Sequence, residues 1–156
     1  MPEVFPFVTV VMPVRNEAGF IEKSLGAVLA QDYPMERMEI LVMDGMSSDG
    51  TSEIIEKIKT RNLNLRRIEN PGKLAASGLN AGIRNARGEI IVRVDGHCEI
   101  ARDYVSRCVQ HLRTNGVQVV GGPIETVGIN KISEIIALAM TSSFGVGNSA
   151  FRTVFN

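Results

Sequence analysis

Only two cysteines, Cys98 and Cys108, occur in the 156 residues, and no CxxC pair is present. Such a pair of single cysteines makes neither a disulfide framework nor a zinc motif, so small buried apolar side chains in a reducing compartment are expected. An excess of charge is also missing, since 17 basic residues balance 17 acidic ones. That balance excludes a polyanion-binding surface and an acidic tail, and nucleic acid is not an expected partner. No apolar run reaches the ~20 residues that span a bilayer, and the N-terminus lacks the basic-then-apolar layout of a signal peptide. A soluble, cytoplasmic chain is expected, with membrane contact only through segments outside it. Internal repeats are absent, and 156 residues suffice for one domain with a real core.

What is present is an alternation of strand-like and helix-like segments, the pattern of βαβ units and a mostly parallel sheet flanked by helices, hence an α/β fold. Phe7 to Met12 reads as a buried strand stopped by Pro13; a helix from about Glu17, capped by Asn16, turns Ile21, Leu25, Val28 and Leu29 to one face. Met38 to Met43 is a second strand, and the polar cluster Ser47 to Thr51 opens a helix that carries Ile54, Ile55 and Ile58 inward. Leu63 to Ile68 is a weaker third strand. The helix expected over Lys73 to Ala86 contains Gly78 and Gly82. Interior glycines cost about 1 kcal/mol each relative to alanine, so something should approach this helix closely.

Gly88 is expected to end that helix in the left-handed conformation, before a fourth strand that runs to Val94. Next come a helix with Tyr104, Val105, Cys108, Val109 and Leu112 on one side, a stop at Asn115-Gly116, and a fifth strand over Val117 to Val120. An amphipathic segment presents Ile132, Ile135, Ile136, Ala139 and Met140, and residues 142–156 read as a loop or disordered tail.

The chemistry collects at strand ends: Asn16-Glu17 after the first, Asp44 after the second, Asp95 and His97 after the fourth. In an open α/β sheet, ligands bind where loops diverge from the carboxyl ends of the strands. Asp95-Gly96-His97 places an acid and an imidazole two apart, a plausible metal and phosphate site. The turn Met12-Pro13-Val14-Arg15-Asn16-Glu17 is not GxGxxG, which disfavours a nicotinamide cofactor, and no P-loop is present. Phosphates must then be neutralised otherwise, and a divalent metal is the natural substitute.

These blocks, Val8 to Glu17, Ile40 to Thr51, Gly72-Lys73 with Leu79 to Gly82 and Ala86 to Gly88, and then Asp95-Gly96-His97, resemble the family 2 glycosyltransferases through most of the chain. The resemblance implies the GT-A fold and transfer of a sugar from a nucleotide diphosphate, with residues 1–156 as the nucleotide-sugar-binding part, truncated at the C-terminus. Carried over by position, it implies that Pro13, Asn16 and Glu17 shape the nucleoside pocket and that Asp44 bonds the base. A carboxylate suits the imide N–H of uracil, so a UDP-sugar is the favoured donor, although guanine also offers N–H groups. Lys73 would lie near the nucleotide or its phosphates.

Asp95 would meet the ribose, and Asp95 with His97 would hold the ion. Histidine stands where the family's second acid is expected; imidazole favours Mn²⁺ over Mg²⁺. The Asp-Gly-His-Cys form is similar to exopolysaccharide glucosyltransferases of succinoglycan type. An inverting transfer to a saccharide or lipid-linked acceptor, in polysaccharide or cell-envelope glycan synthesis, is implied. Its general base is expected beyond Asn156, since Glu125 and Glu134 are the only acids after Asn115 and Glu134 reads as solvated. Two other readings are a non-catalytic nucleotide-sugar-binding module and a sugar nucleotidyltransferase, whose glycine-rich loop is lacking here.

Overall fold

The computed structural model describes residues 5–142 and Gly145. The chain divides into two compact units, Met1–Gly116 and Val117–Asn156. In the first unit the strands β1 (Val8–Val14), β2 (Met38–Asp44), β3 (Leu65–Glu69) and β4 (Ile90–Arg93) form a parallel sheet of order β3-β2-β1-β4. Every residue of β1 and β2 is buried, as their near-continuous apolar sequences require of central parallel strands. Val8 pairs with Met38 and Val14 with Asp44, so these two strands end level.

The helices α1 (Ile21–Leu29), α2 (Thr51–Lys59), α3 (Ala75–Asn85) and α4 (Tyr104–Asn115) flank the sheet. Alternation along each strand sorts the core into two layers. Val8, Val10, Met12, Ile40 and Val42 pack with Ile21, Leu25 and Val28 of α1, Ile55 of α2, and Val105 and Val109 of α4. Val11, Leu41 and Met43 point the other way, against Leu79 and Ala81 of α3.

The small residues of α3 answer to this second layer. A Cβ on Gly82 would lie 2.3 Å from Val11 Cγ1, and one on Gly78 would lie 3.3 Å from Met43 Cβ. The helix therefore packs tightly on the side chains of β1 and β2, and the neighbour foreseen for it is the sheet. Gly82→Ala should force helix and strand apart and destabilise the chain by about 2 kcal/mol, the ordinary cost of overpacking. A lowered midpoint in urea unfolding, beside an unlowered or raised one for Gly26→Ala, on a helix face where an added Cβ meets nothing within 4 Å, is the check.

A buried acid ties α3 to the amino ends of the strands. Glu39 is 1% exposed and accepts from the Thr9 hydroxyl (2.8 Å), the Arg87 backbone N–H (2.7 Å) and Arg87 Nε (2.9 Å). Burial works to raise the Glu39 carboxyl, but the Arg87 and Thr9 bonds outweigh it and hold it below the usual carboxylate range.

Several local expectations are corrected. The third strand begins at Leu65 because Leu63 is fully exposed. Asn16 does not cap α1, which starts at Ile21 with Phe20 at the cap; the Asn16 side chain is engaged elsewhere. Gly88 is not left-handed, since among the described glycines only Gly50 and Gly116 have positive φ. Its need for glycine is steric: a Cβ would lie 2.5 Å from the Thr9 backbone nitrogen. Gly116 does close α4 in the left-handed conformation, with φ 62°.

In the second unit, Val117 to Val120 is not a strand. Its apolar pattern lacks a pairing partner among the described residues, and Val119 is 87% exposed. The helix α5 (Lys131–Thr141) starts at a capping box, in which Asn130 and Ser133 satisfy each other's backbone N–H groups. Its apolar face is exposed at Ile132, Ile135 and Ile136. The tail expected over 142–156 lies outside the described residues, apart from Ser142 and Gly145.

Candidate functional site

The loops that leave the carboxyl ends of β1 and β2 are stitched together by side chains. Asn16 donates its backbone N–H to Ser47 Oγ (3.0 Å) and accepts at Oδ1 from the Ser48 N–H (3.0 Å). The Glu17 N–H donates to Thr51 Oγ1 (2.8 Å) and the Ala18 N–H to Asp49 Oδ2 (3.0 Å). Among the described residues, three that are not glycine, Asn16 (φ 54°), Met46 (φ 58°) and Lys73 (φ 58°), adopt left-handed backbone, one in each loop after β1, β2 and β3. Such conformations cost of order 1–3 kcal/mol each and cluster where a loop must hold a specific shape.

Asp44 ends β2 with its side chain 1% exposed. Its Oδ1 accepts from the Ser47 N–H (3.0 Å) and Ser47 Oγ (2.7 Å); Oδ2 accepts from Ser52 Oγ (2.5 Å) and Arg67 Nη1 (2.9 Å). A carboxylate has about four acceptor positions, so all are filled within the chain. Burial pushes the Asp44 carboxyl up, but the Ser52, Ser47 and Arg67 bonds outweigh it, and it stays ionised below the usual range. Arg67 is shared with Glu56 of α2 (2.9 Å).

Asp95 and His97 sit on the turn after β4. Val11 pairs with Arg93, and a Cβ on Gly96 would lie 2.9 Å from Val14 Cγ1, so this turn stands level with the end of β1. Glycine lets the turn close onto the strand. Asp95 is clasped by Arg93 through two bonds, Nε to Oδ1 (2.8 Å) and Nη2 to Oδ2 (3.1 Å). His97 Nδ1 lies 3.0 Å from Glu17 Oε1. Ligand atoms of Asp95, His97 and Cys98 lie within 4.8 Å of one another.

Of the residues singled out by sequence, Glu17 and His97 meet directly, Asp95 joins His97, and Asn16 reaches Asp44 through Ser47. Pro13 is buried in β1 opposite Met43. Lys73 is exposed, and its carbonyl accepts from Arg15 at 3.5 Å. Asp44 is turned to Ser47, Ser52 and Arg67 and is not one of the three clustered ligands.

Arg67, Arg93 and Cys98 were missed. Arg67 reaches Asp44 only through β2–β3 pairing, which no local pattern announces. Arg93 stands two residues before Asp95 on a strand, a spacing that was legible. Cys98, expected to be a core residue, does pack partly against the main core while its sulfur joins the ligand cluster.

The family model described as Glycosyl transferase family 2 matches residues 9–145. The chain is similar to glycosyltransferase AglE of Haloferax volcanii, 40% identical over 128 residues, which cover 80% of this chain and 41% of that protein. It is similar also to succinoglycan biosynthesis protein ExoA of Rhizobium meliloti, 28% identical over 146 residues, covering 92% of this chain and 44% of the relative. Among solved structures, mannosyltransferase PcManGT from Pyrobaculum calidifontis, in complex with GDP-Man and Mn²⁺, superposes with a TM-score of 0.68 at 31% identity. That match covers 89% of this chain and 40% of the other. The chain thus spans less than half the length of these relatives.

Proposed function

Because the chain belongs to glycosyl transferase family 2 and has the GT-A fold, we propose that its strand-end rim binds a nucleoside diphosphate sugar, a UDP-sugar first. Residues 1–156 are then the donor-binding part of an inverting glycosyltransferase. The acceptor is a saccharide or lipid-linked sugar in polysaccharide or cell-envelope glycan synthesis at the cytoplasmic side. No helix among the described residues is long and apolar enough to cross a membrane. The observation that carries the proposal is the Asp95-Gly96-His97 turn seated level with the end of β1, whose other neighbour β2 ends in Asp44.

The donor set fits a divalent cation: a carboxylate and an imidazole lie close together at an accessible turn. Asp95 and His97 would hold it, and the mixed oxygen and nitrogen set favours Mn²⁺ over Mg²⁺. The PcManGT complex supports a manganese ion in this fold. When bound, such an ion neutralises charge on the departing diphosphate.

The chain's own residues do the rest. Asp44, kept ionised by Ser52, Ser47 and Arg67, accepts the base N–H once the Ser47 loop yields one of its bonds. Pro13, Asn16 and Glu17 wall the nucleoside, and Lys73 stands toward the phosphates. Calorimetric titration with UDP, GDP and UMP, with and without Mn²⁺, tests this reading. UDP affinity should depend on Mn²⁺, and Asp95→Ala should weaken diphosphates more than uridine. Equal, metal-independent affinity for UDP and unrelated mononucleotides would defeat it. His97→Ala should lower Mn²⁺ affinity in the nucleotide complex, whereas His97→Asp should keep metal binding and shift preference toward Mg²⁺.

A further inference from the structure

Resting on the reading of His97 as a metal ligand, we propose that Glu17 is the positioning residue that selects which nitrogen of His97 is free to ligate. A neutral imidazole has one N–H and one lone pair, and the partner of one nitrogen decides the role of the other. Glu17 Oε1 stands 3.0 Å from Nδ1, and an ionised carboxylate can only accept. The proton therefore resides on Nδ1, and Nε2 carries the lone pair. His97 is 57% exposed at its side chain and Glu17 only 19%, so the orienting group is packed and the oriented one is open to a ligand.

The position of Glu17 is set from two separate elements. Its N–H is held by Thr51 Oγ1, at the start of α2, whose hydroxyl is in turn bound to Asp49. Its carbonyl accepts from the N–H groups of Phe20 (2.9 Å) and Ile21 (2.8 Å), which begin α1. A Cβ on Gly96 would lie 3.1 Å from Glu17 Cγ, so glycine at the centre of the Asp-Gly-His turn is what lets His97 reach this carboxylate. The contact joins residues 80 apart in sequence. A carboxylate behind a ligating histidine fixes its tautomer and raises its basicity, and losing such a partner typically lowers metal affinity by roughly 10–100-fold. This role is separate from walling the nucleoside.

Ring nitrogen shifts of His97 in the metal-free chain, read by long-range proton–nitrogen correlation at mildly alkaline pH, test the tautomer directly. The Nδ1–H form is expected, and Glu17→Ala should lose it. Glu17→Gln, whose amide oxygen can still accept, should largely retain it. Mn²⁺ affinity, followed by electron paramagnetic resonance in the presence of UDP, should fall by about 10–100-fold in Glu17→Ala and by less in Glu17→Gln. An Nε2–H tautomer in the parent chain, or one unchanged by Glu17→Ala, would overturn the proposal. So would unchanged Mn²⁺ affinity in Glu17→Ala where His97→Ala does lose affinity. If His97→Ala also leaves Mn²⁺ affinity intact, it is the metal-site reading that fails.

Discussion

Donor binding and sugar transfer are expected to separate in this chain: UDP-sugar should bind with Mn²⁺ while transfer stays at or below detection. Four of the rim acids are already committed. Glu17 contacts His97, Asp44 is filled by Ser47, Ser52 and Arg67, Asp49 holds Thr51 and Ala18, and Asp95 is clasped by Arg93. Glu125 and Glu134 belong to the second unit and are exposed to solvent. An inverting transfer needs a carboxylate on the far face of the sugar to take the acceptor proton, and lacking one costs ~10²–10⁴-fold. Loss of acceptor positioning adds to that. The measurement is transfer beside donor affinity, for this chain and for one extended to the length of its relatives, which are about twice as long. Comparable transfer by both would place the base within these residues, with Glu125 the first acid to test.

The largest stability effect is expected at Glu39, remote from the chemistry. Glu39→Ala removes the acceptor shared by the Thr9 hydroxyl, the Arg87 backbone N–H and the Arg87 guanidinium. Arg87 itself is 65% exposed at its side chain and can turn to water, so the cost lies in the stranded Thr9 and backbone donors and the emptied site. About 3 to 4 kcal/mol is the expected loss, from ~1–3 kcal/mol for each buried donor left unmade. The pH dependence has a definite sign. A carboxyl held below its usual range stabilises the fold above the unfolded value of 4.5, and that stability is lost as pH falls through the lower folded value. The stability gap between parent and Glu39→Gln should therefore be constant near neutrality and narrow below about pH 4.5. Urea unfolding across that range is the test, and a gap that widens on acidification would refute the assignment.

Sequence periodicity was enough to place the four strands and the helices between them, because burial on both faces imposes an apolar run on a central parallel strand and one apolar stripe on each covering helix. It failed where local pattern and partner disagree. Val117 to Val120 has strand composition without a strand beside it, and the apolar residues of α5 form a face that stays exposed at Ile132, Ile135 and Ile136. The glycines show the same division. Gly116 was legible because a left-handed helix stop is a local event, whereas Gly82, Gly88 and Gly96 are needed for distances of closest approach to Val11, Thr9 and Val14 that only the folded chain defines.

The candidate site divides along the same line. The sequence alone determined which residues stand at the strand ends, since Asn16, Glu17, Asp44, Asp95 and His97 follow directly from where apolar runs stop. The tertiary structure alone decided the distant partners: Arg67 on Asp44 and Glu17 on His97. Strand order and register set those pairings, and they join groups up to 80 residues apart, a separation over which no local periodicity carries information.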